Sequence, residues 1–169
     1  MIDSATLDEL RDRQAITDLI YRYCRAMDRI DAELGYTIWH DDGLADYGDG
    51  VYRGSGRGFI DFVCAQHRHA LTHTHQVTNI VLELDGSKAA SESYVFSVLR
   101  VAQGEGIRQI TTWGRYIDEW SKRSGRWGID RRLAIRDFDE IRDATPLHDL
   151  DQARRDRNDP SYTVLKGPK

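Results

Sequence analysis

Apolar positions recur near helical spacing in the first part of the chain and at strand spacing in most of the rest. Leu10, Ile16, Leu19, Ile20, Tyr23, Cys24 and Met27 predict one long amphipathic helix over about Leu7 to Asp28. Thr6, with Glu9 three residues later, fits a capping box at its start. A shorter helical segment is expected from about Asp31 to Trp39. Gly43 to Tyr52 is glycine-rich and reads as a short hairpin turning at Gly48-Asp49-Gly50. Phe59, Phe62, Val63 and Ala70 predict a helix over Gly58 to His69, whose last residues His67, Arg68 and His69 suit the negative end of a helix dipole.

From Thr72 the period becomes two. Thr72 to Leu84 ends at Asp85-Gly86, a hairpin signal. Lys88 to Ala102 places Tyr94, Phe96 and Val98 on one face and Val95, Ser97 and Leu99 on the other. Ile107 to Trp120 and Arg126 to Arg136 complete an antiparallel meander. Helices followed by strands predict an α+β fold, with helices on one face of a curved sheet. The expected organisation is one domain over 1–145 and a charge-dense C-terminal extension over 146–169. Tyr162-Thr163-Val164-Leu165 in that extension reads as a frayed terminus or an arm on a neighbouring subunit.

Composition narrows the class. The 169 residues are 40% hydrophobic and 31% charged with a net charge of −4, as expected of a globular protein with one core. No basic stripe points to nucleic acid. No apolar run approaches the roughly 18 residues of a membrane span, and no leader pattern is visible at Met1-Ile2-Asp3-Ser4. Cys24 and Cys64 form neither a C-x-x-C pair nor a disulfide framework, which favours a reducing, cytoplasmic setting.

The candidate chemistry centres on Thr72-His73-Thr74-His75-Gln76-Val77-Thr78-Asn79, a polar stretch where a strand belongs. Alternation puts His73, His75, Val77 and Asn79 on one face. His67, His69, His73 and His75 invite a metal reading. However, His67 and His69 are two apart on a helix, and no Cys or Glu stands at ligand spacing, so no metal is expected. Gly54-Ser55-Gly56-Arg57-Gly58 lacks the lysine of a phosphate loop and reads as a turn into the helix.

The order of these motifs resembles the nuclear-transport-factor-2-like superfamily, and more narrowly its SnoaL-like branch, which includes scytalone dehydratase and hexachlorocyclohexane dehydrochlorinase. The resemblance covers roughly residues 5 to 140. It rests on Ala15 to Tyr21 with Met27-Asp28 in the first helix, Trp39-His40-Asp41-Asp42 as the end of the second helix, the histidine strand, and Gly125-Arg126-Trp127-Gly128-Ile129 entering the last strand. It implies a cone of curved sheet and helices around a pocket, with no cofactor.

Carried over, the resemblance makes Asp28 the pocket aspartate, His75 the strand histidine that acts as base, Arg132 the last-strand arginine and Tyr47 a pocket tyrosine. Tyr23 stands where the dehydrochlorinase has a pocket lysine, and the dehydratase's second histidine has no counterpart between Ser91 and Arg100. An imidazole is a competent base at neutral pH, and a carboxylate on its other nitrogen fixes the tautomer. Arg132 would hold a departing anion or pair with Asp28. Tyr23 and Tyr47 would donate to a substrate oxygen, and His73, Asn79 and Trp113 would contact substrate.

The expected activity is therefore a cofactor-independent lyase on a small aromatic or alicyclic molecule. It would act by dehydration, dehydrohalogenation or retro-aldol cleavage. The alternatives are an isomerase or cyclase, a non-catalytic pocket protein, or an assembly subunit like the β subunit of ring-hydroxylating dioxygenases. Apolar strand residues Tyr94, Phe96, Val98, Trp113 and Ile117 predict a homo-oligomer, a trimer before a dimer.

Overall fold

Helix α1 spans Ser4–Arg29 and α2 spans Ala32–Tyr36. They are followed by β1 (Trp39–Asp46), β2 (Arg53–Ser55), α3 (Gly56–His67), β3 (Thr72–Asp85), β4 (Lys88–Gln103), β5 (Gly106–Arg123), β6 (Arg126–Ala144) and α4 (Ser161–Val164). The computed structural model describes residues 4–145 and 153–165. The leader reading at Met1-Ile2-Asp3 and the parts of the extension at 146–152 and 166–169 lie outside the described residues. No helix among those described is long and apolar enough to cross a membrane.

The six strands form one sheet in the order β2-β1-β6-β5-β4-β3. All neighbours are antiparallel except β1 and β6, which run parallel. This is the α+β architecture that the pattern predicts. Helix α1 buries Ile16, Ile20, Tyr23, Ala26 and Met27 on one face and packs against β3, while Leu10 on its early turns is exposed. Full burial of each such aliphatic side chain contributes roughly 1.5–3 kcal/mol.

Four boundaries differ from the sequence expectation. Helix α1 begins at Ser4, so Thr6 lies within its first turn instead of capping it. Helix α2 is a single short turn capped by Asp31, whose carboxylate accepts from the Leu34 N–H at 3.2 Å. Trp39-His40-Asp41-Asp42 is strand rather than helix end, because Trp39 pairs with Ile129 of β6 and is buried there. Strand β6 continues to Ala144, well beyond Arg136. Its charged end has no apolar alternation to read, and the ladder to β5, from Ile107↔Ala144 inward, carries it.

Helix α3 is positioned by the glycine-serine run before it. Ser55 caps it, accepting from the Gly58 N–H at 3.1 Å. Gly56 lies against the fully buried Trp39, and a Cβ there would sit 2.1 Å from the indole ring. Gly56→Ala is therefore expected to destabilise the fold by about 1–3 kcal/mol through overpacking. Urea unfolding of this variant beside Gly106→Ala, whose Cβ meets nothing closer than 3.6 Å, measures the difference. Equal stabilities of the two would contradict the assigned contact.

Candidate active site

A cavity of about 490 Å³ lies between the inner face of the sheet and helices α1 and α3. Val95, Ser97 and Leu99 of β4 line one wall, which is the face that strand alternation predicted. Phe59, Phe62 and Val63 of α3 line another. The polar groups converge at two places, a histidine cluster and a tyrosine cluster.

The histidine cluster is built by β3 and the ends of the two helices. His73 and His75, two apart on β3, both face the cavity. Asp28, in the last turn of α1, approaches His75 from behind and does not itself line the cavity. One carboxylate oxygen lies 2.7 Å from His75 Nδ1, and the other accepts the His75 backbone N–H at 3.1 Å. A carboxylate only accepts, so Nδ1 carries the proton and Nε2 is left as the basic nitrogen. Both side chains are nearly buried, at 8% and 13% exposure, so little water competes for the bond.

His67, at the end of α3, completes the cluster. Its ring lies 4.7 Å from that of His73, which in turn lies 4.3 Å from His75. Burial pushes the His67 imidazolium down to about 4, helped by the positive Arg155 and by His75. Burial pushes His73 down further still, with His75, His67 and Arg155 adding to it. Both rings are therefore neutral hydrogen-bonding groups near pH 7.

Asp28, His73 and His75 bring potential metal-ligand atoms within 4.8 Å of one another. The fit to a cation is poor, because both Asp28 oxygens already accept from His75 and Arg155 supplies positive charge nearby.

The tyrosine cluster comes from three elements. Tyr23 of α1 and Tyr47 after β1 share a hydroxyl–hydroxyl hydrogen bond of 2.5 Å, and Tyr116 of β5 packs edge-on to Tyr23 at 5.6 Å. All three line the cavity. Burial raises each phenol's pKa above the ordinary value, and neighbouring tyrosines raise Tyr23 and Tyr116 further. They remain protonated donors.

Arg132 does not line the cavity and does not meet Asp28. It is fully buried and donates through Nε and Nη2 to the two carboxylate oxygens of Asp118, at 2.7 and 2.8 Å. Its guanidinium lies 4.1 Å from the ring centroids of both Tyr23 and Tyr116. Burial opposes its charge, and Asp118, Tyr47 and Tyr23 together more than offset that, so its pKa lies well above the usual range. The last-strand arginine thus packs behind the tyrosines, and its buried Nη1 has no hydrogen-bond partner among the described residues.

Two expected substrate contacts also fall elsewhere. The β3–β4 register breaks between Thr78 and Val81, and Asn79 adopts φ 50° at the bulge. That kink turns Asn79 out of the His73–His75 face, and it is exposed. Trp113 lies on the outer sheet face, 4.7 Å from the Phe138 ring and 5.2 Å from Phe96. Its neighbours Thr112 and Gly114 line the cavity instead.

Sequence reasoning missed Tyr116 and Asp118. Alternation from Thr112 through Gly114 to Tyr116 and Asp118 would have placed both on the inner face. It also missed Arg155, which carries no local signal.

Residues 8–133 match the SnoaL-like domain family, and the chain belongs to that family. Hexachlorocyclohexane dehydrochlorinase LinA type 2 has a similar structure, with a TM-score of 0.72 at 20% identity over 85% of this chain and 96% of that one. A candidate scytalone dehydratase from Novosphingobium aromaticivorans DSM 12444 gives 0.69 at 19% identity, over 85% and 97%. A candidate aromatic ring hydroxylase from Novosphingobium aromaticivorans gives 0.68 at 24%, over 80% and 94%. These likenesses establish a shared fold. No curated protein sequence matches the chain.

Proposed function

We propose that this protein is a cofactor-independent lyase acting on a small aromatic or alicyclic molecule bound in the cavity. The observation that carries this reading is the 2.7 Å contact between Asp28 and His75 Nδ1 at the wall of a largely apolar pocket. His75 Nε2 takes a proton from substrate carbon or hydroxyl, and Asp28 stabilises the imidazolium that results. Of Tyr23 and Tyr47, the hydroxyl that accepts in their shared hydrogen bond keeps its own proton to donate to a substrate oxygen, and the neutral His73 ring lies beside the base. The same parts serve dehydration, dehydrohalogenation or retro-aldol release of an aldehyde. The structural likeness to a dehydrochlorinase and a candidate dehydratase supports the reaction class.

The test is incubation of purified protein with aryl-substituted diols, β-hydroxy ketones and polychlorinated cyclohexanes, with products followed by mass spectrometry. Turnover that disappears in His75→Ala supports the lyase. Saturable binding of these compounds with no product would leave a binding protein.

We further propose that the outer sheet face mediates homo-oligomerisation, with a trimer favoured over a dimer. Phe96 packs edge-on and Phe138 stacks against Trp113 on this face, and Phe138 and Tyr94 are exposed. Contiguous apolar surface of this kind is uncommon on a monomer. Multi-angle light scattering at micromolar protein is expected to give a multiple of 19.4 kDa. A monomer there, or an unchanged oligomer in Trp113→Glu, would rule out this face.

A further inference from the structure

The chain beyond the family's 8–133 span returns to the histidine cluster. Arg155 is the residue that reaches it. Its Nη1 donates to the carbonyls of His67 at 2.6 Å and Ala70 at 3.1 Å, and its Nε donates to the Asp28 carbonyl at 3.3 Å. One guanidinium thus joins the last turn of α1, the end of α3 and the loop entering β3. These three segments carry Asp28, His67 and the His73–His75 pair.

The segment that bears Arg155 is itself anchored. Arg157 and the Tyr162 hydroxyl both bond to the buried Asp31, at 3.0 and 2.7 Å. Asp159 pairs with Arg29 at 3.2 Å, and Arg25 donates to Ser161 at 3.0 Å. Helix C-termini present unpaired carbonyls and partial negative charge, which an arginine satisfies on both counts.

We propose that Arg155 is a positioning residue for the Asp28–His75 pair, a clamp supplied by the C-terminal segment that fixes where α1 ends relative to β3. The inference rests on the reading of Asp28 and His75 as the working pair, but its test reads ring protons rather than turnover. The groups facing Arg155 are Asp28 and Arg29 of α1, Cys64 and His67 of α3, and the His73 ring of β3. Moving the α1 end by a fraction of an ångström would lengthen the carboxylate–imidazole bond, because Asp28 holds His75 through both ring and backbone.

The experiment is histidine-ring nuclear magnetic resonance on the full chain. Arg155→Met and Arg155→Lys are compared with the neighbouring Arg154→Met as control. In Arg155→Met the His75 Nδ1 proton is expected to exchange with water about tenfold faster, the scale of one charge-assisted hydrogen bond. The His67 imidazolium, pushed down to about 4 by burial and by the Arg155 cation, is expected to titrate at higher pH once that cation is gone. In Arg155→Lys the charge remains but the planar fork does not, so His67 is expected to keep its low titration while the His75 proton still exchanges faster. The backbone amide of Trp120 in the core should be unaffected, which separates local loosening from global unfolding.

Unchanged His75 exchange in Arg155→Met, or equal effects in Arg154→Met, would overturn the clamp. If Arg155→Met does not fold, Arg155→Lys decides alone: native exchange rates there refute the proposal, and faster exchange upholds it.

Discussion

Replacing Arg132 with methionine is expected to cost about 3–5 kcal/mol of folding stability, the scale for breaking a buried ion pair by removing one partner. Arg132 and Asp118 are both fully buried and joined by two short hydrogen bonds. Without the guanidinium, the Asp118 carboxylate stays in the core with no cation. The variant also loses the cation stacked on Tyr23 and Tyr116, worth about 2 kcal/mol or more when desolvated. Urea unfolding followed by circular dichroism measures the loss. The double variant Arg132→Met/Asp118→Leu is expected to regain much of it, because an apolar pair of similar volume carries no stranded charge. A single-variant loss below about 1 kcal/mol would contradict the buried pair, since that is the range of surface salt bridges. The placement changes the role given to Arg132. It is a brace for the tyrosine wall, and any loss of activity in the variant should accompany loss of stability.

The second large effect concerns turnover. On a substrate identified by the product screen, His75→Ala is expected to lower kcat roughly 10²–10⁴-fold, the usual contribution of a positioned acid–base group. Asp28→Asn should lower it less. The amide oxygen can still accept from Nδ1, but the charge that stabilises imidazolium is gone. Because the two residues act as one unit, the double variant should fall little below His75→Ala alone. Steady-state kinetics on folded variants test all three statements. Native activity in His75→Ala would move the base elsewhere. The tyrosines are poor alternatives, since burial keeps Tyr23 and Tyr47 protonated.

A neutral histidine pair stands beside His75 in the cavity wall. His67 and His73 add dipoles without adding charge near pH 7, because burial and Arg155 hold both rings neutral. A charged neighbour would have repelled the imidazolium that His75 forms in the proposed reaction. The chain therefore keeps one imidazole in direct contact with a carboxylate and two neutral ones beside it.

By itself the sequence determined the element order and the α+β class, and the Asp28–His75 partnership was what the resemblance to the SnoaL-like family implied. Those rest on local periodicity and on a motif order that needs no partner to be read. The 3.6-residue stripe of α1 and the two-residue alternation of β4 each state which face is buried, and β4 places Val95, Ser97 and Leu99 on the cavity wall as expected.

Tertiary structure decided the rest, for identifiable reasons. A one-residue bulge at Asn79 reverses facing, and no alternation signal announces it. Trp39 is a helix former or a strand former according to its neighbour, and the parallel pairing with Ile129 settled it. Arg132 was expected to pair with Asp28 or to hold a departing anion. The β5–β6 register that sets it opposite Asp118 chose the partner, and pairing register is a property of two strands together. Arg155 lies 127 residues from Asp28 along the chain, and only folding brings its guanidinium to that carbonyl. Local pattern records what each segment buries, and long-range pairing determines which buried groups meet.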